Sequence, residues 1–245
     1  MQKIKISTVF LGHQKVPVDF QYLTGWKSAI FEFQPAQSIP YSPDANGNRW
    51  EYPDSQIEEL VTSVTGADVT VVLVSTALER NFYVRRLTGN RIVISLYEMA
   101  YILKSANFRL EDFLLRNLYA YSVYFHAYRG RPPTSSAFSW SHHDIRGCLF
   151  DMNPQKADVL YSMHQPNLCG DCVQRLGSCQ VDASFADALS AELRKIQKPL
   201  FFRISDWVKA HPLWSLCLTA GFAVFLNLVA SVIFEKAKKL ASWLG

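Results

Sequence analysis

The sequence predicts an α+β fold, in which a mixed α/β head is followed by a single C-terminal transmembrane helix. Three observations lead to this prediction. Short β-branched runs alternate with helical patterns in the first half of the chain, a long aromatic helical pattern follows them, and the uncharged apolar run 212–234 comes near the end. Mixed strand and helix patterns favour a sheet covered by helices, and about 20 apolar residues suffice to cross the hydrocarbon core.

Strand patterns mark the first half of the chain. Lys3–Leu11 alternates and is rich in β-branched residues, which is typical of a half-buried strand. Asp68–Ser75 is a nearly continuous apolar run, which predicts a buried strand, and Arg91–Ser95 predicts another. Val18–Thr24 and Lys27–Phe33 are expected to form further short strands or strand–helix pieces.

Helical spacing of apolar residues marks four further segments. Ser55–Val64 predicts a short helix with Asp54 as its N-cap, and Leu96–Leu103 predicts another. Leu110–Tyr128 is the longest helical pattern before the apolar run, and its many aromatic residues predict that it packs into the core. Ser184–Ile196 predicts the last helix of the head.

Composition limits the classes of protein to consider. The chain has 245 residues and a net charge of +4. Such a mild positive charge gives no clear signal for nucleic-acid binding. Its five cysteines include a cluster of zinc-binding type, which favours a reducing compartment over a disulfide framework.

The stretch His142–Cys172 contains three of the five cysteines and three of the six histidines. Cys169 and Cys172 form a C-x-x-C motif, which can direct two thiolates at one ion. With Cys148 and His143 they would supply the one nitrogen and three sulfur ligands of a closed, structural zinc site. His142 is an equally plausible ligand, and the alternative is that these cysteines are ordinary buried thiols.

Basic residues around the cysteines suggest a second site. Arg129, Arg131, Arg146 and Lys156 could form an anion-binding face for a nucleotide, and the alternative is a solvated basic surface. Asp144, next to a candidate ligand, is expected to orient a histidine rather than to act as an acid or base.

The chain is expected to divide into four parts. Residues 1–198 would form the zinc-binding head, 199–211 a linker or interfacial segment, 212–234 the transmembrane helix and 235–245 a short amphipathic tail. Asn227 is the strongly polar residue of the span, and it could form hydrogen bonds between helices and promote homo-oligomers.

Charge asymmetry predicts the orientation of the span. Five basic residues precede it, and three lysines follow it. These are Arg194, Lys195, Lys198, Arg203 and Lys209 before the span, and Lys236, Lys238 and Lys239 after it. Because cytoplasmic flanks carry the excess of Lys and Arg, the head is expected on the cytoplasmic side of a cell inner membrane.

The order of these elements resembles that of archaemetzincins and other metzincin-like peptidases. Strands come first, then a long helix, then a cysteine cluster that ends in C-x-x-C. In that family the cluster has the form C-x4-C-x-M…C-x-x-C; here His143-x4-Cys148 stands at the first pair and Met152 lies later than the family spacing. The resemblance covers about Ile92–Gln174 and implies a zincin-like head with a structural zinc.

The long helix departs from the family. Where the family has H-E-x-x-H, this helix reads Asn117-Leu118-Tyr119-Ala120-Tyr121, and the motif occurs nowhere in the chain. Two histidines one turn apart bind the catalytic metal in that motif, and the glutamate activates its water. The resemblance therefore implies a domain that kept its structural zinc and lost its catalytic one.

Three functions remain as expectations. The first is a non-catalytic, membrane-anchored sensor or effector, by analogy with membrane proteins of bacterial antiviral defence. The second is a membrane-tethered zinc metallopeptidase with an unusual site built from His126, His142 and Asp144. The third is a simple tether that holds a larger protein complex at the membrane.

Overall fold

The computed structural model describes residues 2–134 and 140–243. The chain separates into two compact units, Met1–Lys198 and Pro199–Gly245. The first unit contains the sheet and the cysteine cluster, and the second contains the apolar run.

A mixed sheet forms the centre of the first unit. Its strands are β1 (Ile4–Leu11), β2 (Phe31–Phe33), β3 (Gln37–Ile39), β4 (Val69–Val74), β5 (Val84–Leu87) and β6 (Arg91–Ser95). Their order is β2-β1-β4-β6-β5, and β3 also pairs with β1. All pairs are parallel except β5 with β6. Every residue of β4 is buried, as expected for a central parallel strand covered on both faces.

Seven helices of the first unit surround this sheet in the described part of the chain. They are α1 (Phe20–Gly25), α2 (Asp54–Leu60), α3 (Met99–Ser105), α4 (Leu110–Ala127), α5 (Val159–His164), α6 (Gly170–Ser178) and α7 (Ala183–Leu193). Successive strand residues alternate between the two faces. On one face Val71 and Ile94 belong to the core cluster that contains most of α4. On the other face Val72 and Val93 pack in the cluster that contains Ile57 of α2.

Helix α4 is the buried axis of the head. It is 18 residues long, and most of its side chains are buried. Its polar side chains bind neighbouring elements: Asp112 accepts a hydrogen bond from Tyr22 of α1, and Tyr119 donates one to Glu192 of α7. Its Arg116 donates to Ser162 of α5 and to the carbonyl oxygen of Leu149. The loop that carries Cys148 is thus fixed to the centre of the core.

Most of the predicted elements are confirmed within a few residues. The strands expected at 3–11, 68–75 and 91–95 are β1, β4 and β6, and the helices expected at 55–64, 96–103, 110–128 and 184–196 are α2, α3, α4 and α7. Two details differ. Within Val18–Thr24, expected as a short strand or a strand–helix piece, the chain enters helix α1 (Phe20–Gly25), with Asp19 as its cap. Asp54 is the first residue of α2, and Pro53 precedes it.

The second unit contains helix α8 (Leu200–Ala210) and helix α9 (Pro212–Trp243). Pro212–Ser231 of α9 is long and apolar enough to cross a membrane, and none of this segment is buried. The helical backbone continues to Trp243, beyond the expected end of the span at residue 234. The amphipathic character expected for 235–245 depends on side chains that lie outside the described ones.

Candidate metal centre

Four side chains of the first unit converge on one point. Their ligand atoms, from His142, Cys148, Cys169 and Cys172, lie within 4.8 Å of one another. The sulfur atoms of Cys148 and Cys172 are 3.9 Å apart, and Nε2 of His142 is 3.4 Å from the sulfur of Cys169. Zinc bonds of ordinary length at tetrahedral angles would place two sulfurs about 3.8 Å apart and a sulfur and a nitrogen about 3.6 Å apart. The four residues could therefore hold one metal ion.

A tight loop presents Cys148. Gly147 has a φ of +74°, and a Cβ atom there would lie 3.2 Å from the side chain of Asn167. Glycine suits both the positive φ and the close approach of Asn167, because it has no Cβ and adopts positive φ without strain. Oδ2 of Asp151 accepts hydrogen bonds from the backbone N–H groups of Arg146 at 3.0 Å and Cys148 at 2.9 Å. These bonds hold the loop closed around the thiol.

Helix α6 presents the other two thiols. Cys169 is the residue before the helix, and Cys172 is its third residue. This spacing places both side chains on the first helical turn, and the positive end of the helix dipole favours thiolates there. The backbone N–H of Cys169 also lies 3.4 Å from the sulfur of Cys148, as a donor. The C-x-x-C motif thus lies at a helix N-terminus.

The histidine of the cluster, His142, forms an isolated bridge with Asp151. Backbone hydrogen bonds from His142 to Phe150 and from Met152 to His142 pair this residue with the end of the Cys148 loop. Nδ1 of His142 lies 3.2 Å from the carbonyl oxygen of Asp144 and 3.4 Å from Oδ1 of Asp151. The carbonyl oxygen of Asp144 accepts a hydrogen bond and so favours the tautomer with the proton on Nδ1, which leaves Nε2 free to bind a metal; the Asp151 carboxylate acts only as a nearby charge.

The thiols and the histidine influence one another's ionisation. The hydrogen bond from Cys172 lowers the pKa of the Cys148 thiol, and the same bond, together with burial, raises the pKa of Cys172. The two buried sulfurs therefore share one proton, and a metal cation that binds both thiolates would displace that proton. Burial by itself would lower the pKa of His142, but the hydrogen bond to Cys148 and the charge of that residue raise it. Burial also raises the pKa of Asp151.

The structure brings three of the four predicted metal ligands together and gives the fourth position to His142. His143, which the spacing argument placed in the site, is exposed and is absent from the group of converging ligands. The backbone bends at His143 and Asp144, directly after the bridge between His142 and Asp151, and the His143 side chain is exposed. The backbone pairing of His142 with Phe150 and Met152 thus goes together with His142 as the residue that faces the thiols.

The four residues of the expected anion-binding face have different surroundings. Arg129 lines a cavity beside His126 and Cys179, whereas Lys156 lines a different cavity. Arg146 forms ion pairs with Asp144 and Asp171, both at 2.6 Å. The fourth residue, Arg131, is exposed.

Of the residues suggested for an unusual peptidase site, His142 and Asp144 are in contact through the Asp144 carbonyl oxygen, and the three side chains do not form one group of metal ligands. His126 packs against Phe185, with ring centroids 4.3 Å apart. Asp144 is engaged with Arg146, and His142 belongs to the thiol cluster. Among the residues that the structure describes, the one group of possible metal ligands contains neither His126 nor Asp144.

Two residues contribute to the centre beyond its ligands. Asp151 follows Cys148 by three residues, a spacing that suits a side chain folding back onto a loop. Arg116 reaches the carbonyl oxygens of Cys148 and Leu149 from α4 at 3.5 and 3.2 Å. No local signal marks Arg116, since it lies within an apolar helical pattern and its partners are more than 30 residues away.

Comparison of the chain with protein-family models, with curated proteins and with solved structures gives no match.

Proposed function

We propose that this chain is a non-catalytic, membrane-anchored sensor or effector. Its head is held together by a structural zinc ion, and one C-terminal helix crosses the membrane. The observation that carries the proposal is helix α9: its segment Pro212–Ser231 has a mean hydropathy of 1.9 and none of it is buried. An apolar helix of this length with no protein around it needs another apolar environment, and a bilayer is one that fits its dimensions.

Zinc is the metal that this donor set favours. One imidazole and three thiolates form a ligand set typical of structural zinc sites, in which the protein supplies all four ligands. Soft thiolates disfavour magnesium and calcium, which take oxygen ligands. With no ligand position left for water, such a centre would stabilise the fold and would not activate a nucleophile.

The same reasoning argues against catalysis on helix α4. Asn117 and Tyr121 occupy the positions where the metzincin-like motif would have its two histidines. The Asn117 side chain is turned back to the carbonyl oxygen of Phe113 at 2.8 Å. A head derived from a zincin-like enzyme would thus retain its scaffold and use it to recognise something else.

Helix α8 supports the membrane assignment independently. Its exposed large apolar residues are Leu200, Phe201, Ile204, Trp207 and Val208. At 100° per residue they form a single stripe, with Arg203 and Lys209 outside it. A stripe with one tryptophan and flanking basic residues is typical of helices that lie in the headgroup region. We propose that α8 lies at the cytoplasmic surface of the inner membrane.

The response to a signal would take place in the membrane helix, through a change in how copies of this helix associate. Asn227 is a polar side chain in the apolar segment, and Ala220 with Gly221 offers a surface of small residues for close approach. Helices with such features associate, so a signal received by the head could change the oligomer in the bilayer. Antiviral defence that damages the infected cell's own membrane is one process that would use this step.

Expression in a bacterial host tests the proposal. The full chain should remain in the membrane fraction after an alkaline carbonate wash and should slow growth or permeabilise the inner membrane. A chain shortened at residue 211 should be found in the soluble fraction and have no such effect. The proposal fails if the shortened chain keeps the effect. If an unrelated span replaces 212–234 with the effect intact, the chain is a tether.

A further inference from the structure

A cleft crosses the head beside the metal centre, between strand β5 and the segment 141–156. It consists of an inner cavity of about 120 Å³ and an outer one of about 530 Å³. The two share five lining residues, namely Tyr83, Val84, Arg86, Ser141 and Asp151. They are therefore parts of one space, narrow at α4 and open at the surface.

The charged residues of this cleft are mostly basic. Five cationic side chains line it, and the one carboxylate among its lining residues is Asp151. The five are Arg80, Arg85, Arg86, Arg116 and Lys156. Carboxylates outside the cleft neutralise part of this charge, since Arg85 pairs with Asp54 at 2.6 Å and Lys156 lies 3.4 Å from Glu98. An excess of positive charge remains at Arg80 and Arg116.

Arg116 is the innermost of these cations. It is only 1% exposed, and its guanidinium donates to neutral acceptors: Ser162 Oγ, Asn117 Oδ1 and the carbonyl oxygens of Cys148 and Leu149. In the described part of the chain no carboxylate lies within ion-pair distance of it. The Asp151 carboxylate lines the same cavity beyond ion-pair distance of Arg116, and a buried cation with no direct counter-charge is unfavourable, so an anion in contact with Arg116 would be stabilised.

Tyr121 adds an unused hydrogen-bond donor to the same cavity. Its side chain lines the inner cavity, and the residue is 5% exposed. Its hydroxyl has no hydrogen-bond partner among the described residues. Buried hydroxyl groups without partners are rare in folded proteins and call for an explanation such as a missing ligand.

We propose that this cleft binds the phosphate group of a small molecule. The oxyanion would lie in the inner cavity between Arg116, Arg86 and the Tyr121 hydroxyl, and Arg80 and Lys156 at the mouth would attract it. A phosphate suits this arrangement better than a carboxylate does, because it carries more charge and more acceptor oxygens for several donors at once. The inference rests on the proposed function, since it names the ligand class that the sensor would detect.

Calorimetric titration of the full, metal-loaded chain in detergent tests this inference. Sodium phosphate and sodium acetate are titrated separately at constant ionic strength, and the metal content is measured before and after. Phosphate should bind with one site per chain and with at least about tenfold higher affinity than acetate. Acetate would form at least one fewer charge-assisted hydrogen bond, which accounts for a difference of this size. Acetate binding of equal affinity, or no binding of phosphate, would overturn the proposal.

Two variants locate the binding in the cleft. Tyr121→Phe removes only the unpartnered hydroxyl, and Arg80→Gln removes an exposed charge at the mouth; each should weaken phosphate binding by about tenfold. Arg131→Gln, which removes an exposed charge outside the cleft, should leave the affinity unchanged. If all three variants bind phosphate with the affinity of the parent chain, phosphate does not bind in this cleft.

Stability measurements separate binding from folding. Without phosphate, Tyr121→Phe should unfold at the same or a higher denaturant concentration, because no hydrogen bond is lost. None of these measurements involves membrane insertion or growth. A failure of the cleft to bind phosphate can therefore be told apart from a failure of the membrane-effector proposal.

Discussion

Asp151 connects the histidine of the metal centre to the loop that carries its first thiol. Oδ1 of Asp151 lies 3.4 Å from Nδ1 of His142, and Oδ2 accepts the backbone N–H of Cys148 at 2.9 Å. Its Oδ2 thus fixes the loop of Cys148, and its carboxylate charge lies beside the His142 ring, whose Nδ1 faces the carbonyl oxygen of Asp144 at 3.2 Å. A carboxylate beside a metal-bound histidine increases the basicity of the imidazole and so strengthens metal binding.

Replacing Asp151 should weaken metal binding without removing a ligand. Asp151→Asn keeps the size of the side chain but loses the negative charge beside His142. We expect metal affinity to fall by about 10–100-fold, measured by competition with a chromogenic chelator. Asp144→Asn is the matched control, because Asp144 is exposed and contacts His142 through its backbone oxygen. Equal losses in both variants would contradict this role of Asp151.

The two adjacent histidines should behave differently. His142→Ala removes the nitrogen ligand, so the purified chain should contain less metal and unfold at a lower temperature. His143→Ala changes an exposed side chain and should leave both quantities nearly unchanged. Metal content by mass spectrometry and thermal unfolding measure these effects. The assignment of His142 is wrong if His143→Ala alone lowers the metal content.

Removal of the metal should open one region of the head before the rest. Hydrogen bonds from Leu149 to Asn167 and from Asn167 to Gly147 join the loop of Cys148 to the segment before Cys169. We expect a metal bound to the thiols on both sides to keep these hydrogen bonds closed. A strong chelator should therefore speed hydrogen exchange at these amides, while Val72 in the buried strand β4 remains protected. Cys172→Ala should have the same effect without a chelator. Uniform exchange across the head would indicate instead that the metal supports the whole fold.

Asp112 makes a separate prediction about pH. Burial raises the pKa of this carboxyl above its ordinary value, although its hydrogen bond from Tyr22 opposes the shift. The folded state then binds the proton more tightly than the unfolded state does, so the protonated carboxyl contributes stability below pH about 4, and this contribution is lost as pH rises through the folded pKa.

Asp112→Asn should therefore raise the free energy of unfolding at pH 7, because the neutral amide avoids the cost of burying a charge. The gain should shrink as pH falls through the raised pKa of the parent carboxyl, where that carboxyl becomes neutral as well. Asp187→Asn removes the same charge from an exposed position and serves as the control. A gain that is independent of pH, or equal in the control, would contradict the effect of burial.

The sequence predicts the main strands and helices well because each carries a local signal. β4 is a continuous apolar run, and α4 shows apolar residues at helical spacing over five turns. Helix α5 is only six residues long, and α6, although its buried Cys172 and Leu176 lie one helical turn apart, has nine residues and begins and nearly ends with glycine, so both signals are weak. In both cases tertiary contacts determine the structure: Met163 of α5 and Cys172 of α6 are buried in the core.

The metal centre is predictable in part for a similar reason. The spacing of Cys148, Cys169 and Cys172 indicates three thiol ligands without knowledge of the fold. The choice between His142 and His143 depends on backbone pairing with the Cys148 loop, which the spacing does not contain. The cleft depends on long-range contacts of the same kind, since it brings Arg80, Arg116 and Lys156 together from three separate parts of the chain.

X-ray absorption spectroscopy at the zinc edge of the purified full chain, combined with metal stoichiometry, distinguishes a closed zinc site from an open one. A closed structural site would contain one zinc per chain, with three sulfur ligands at about 2.3 Å and one nitrogen ligand at about 2.0–2.1 Å. We also expect that His142→Ala removes the nitrogen contribution and that His143→Ala does not. A second zinc, or a centre with oxygen ligands from water, would contradict a closed structural site and would restore a catalytic role for the head.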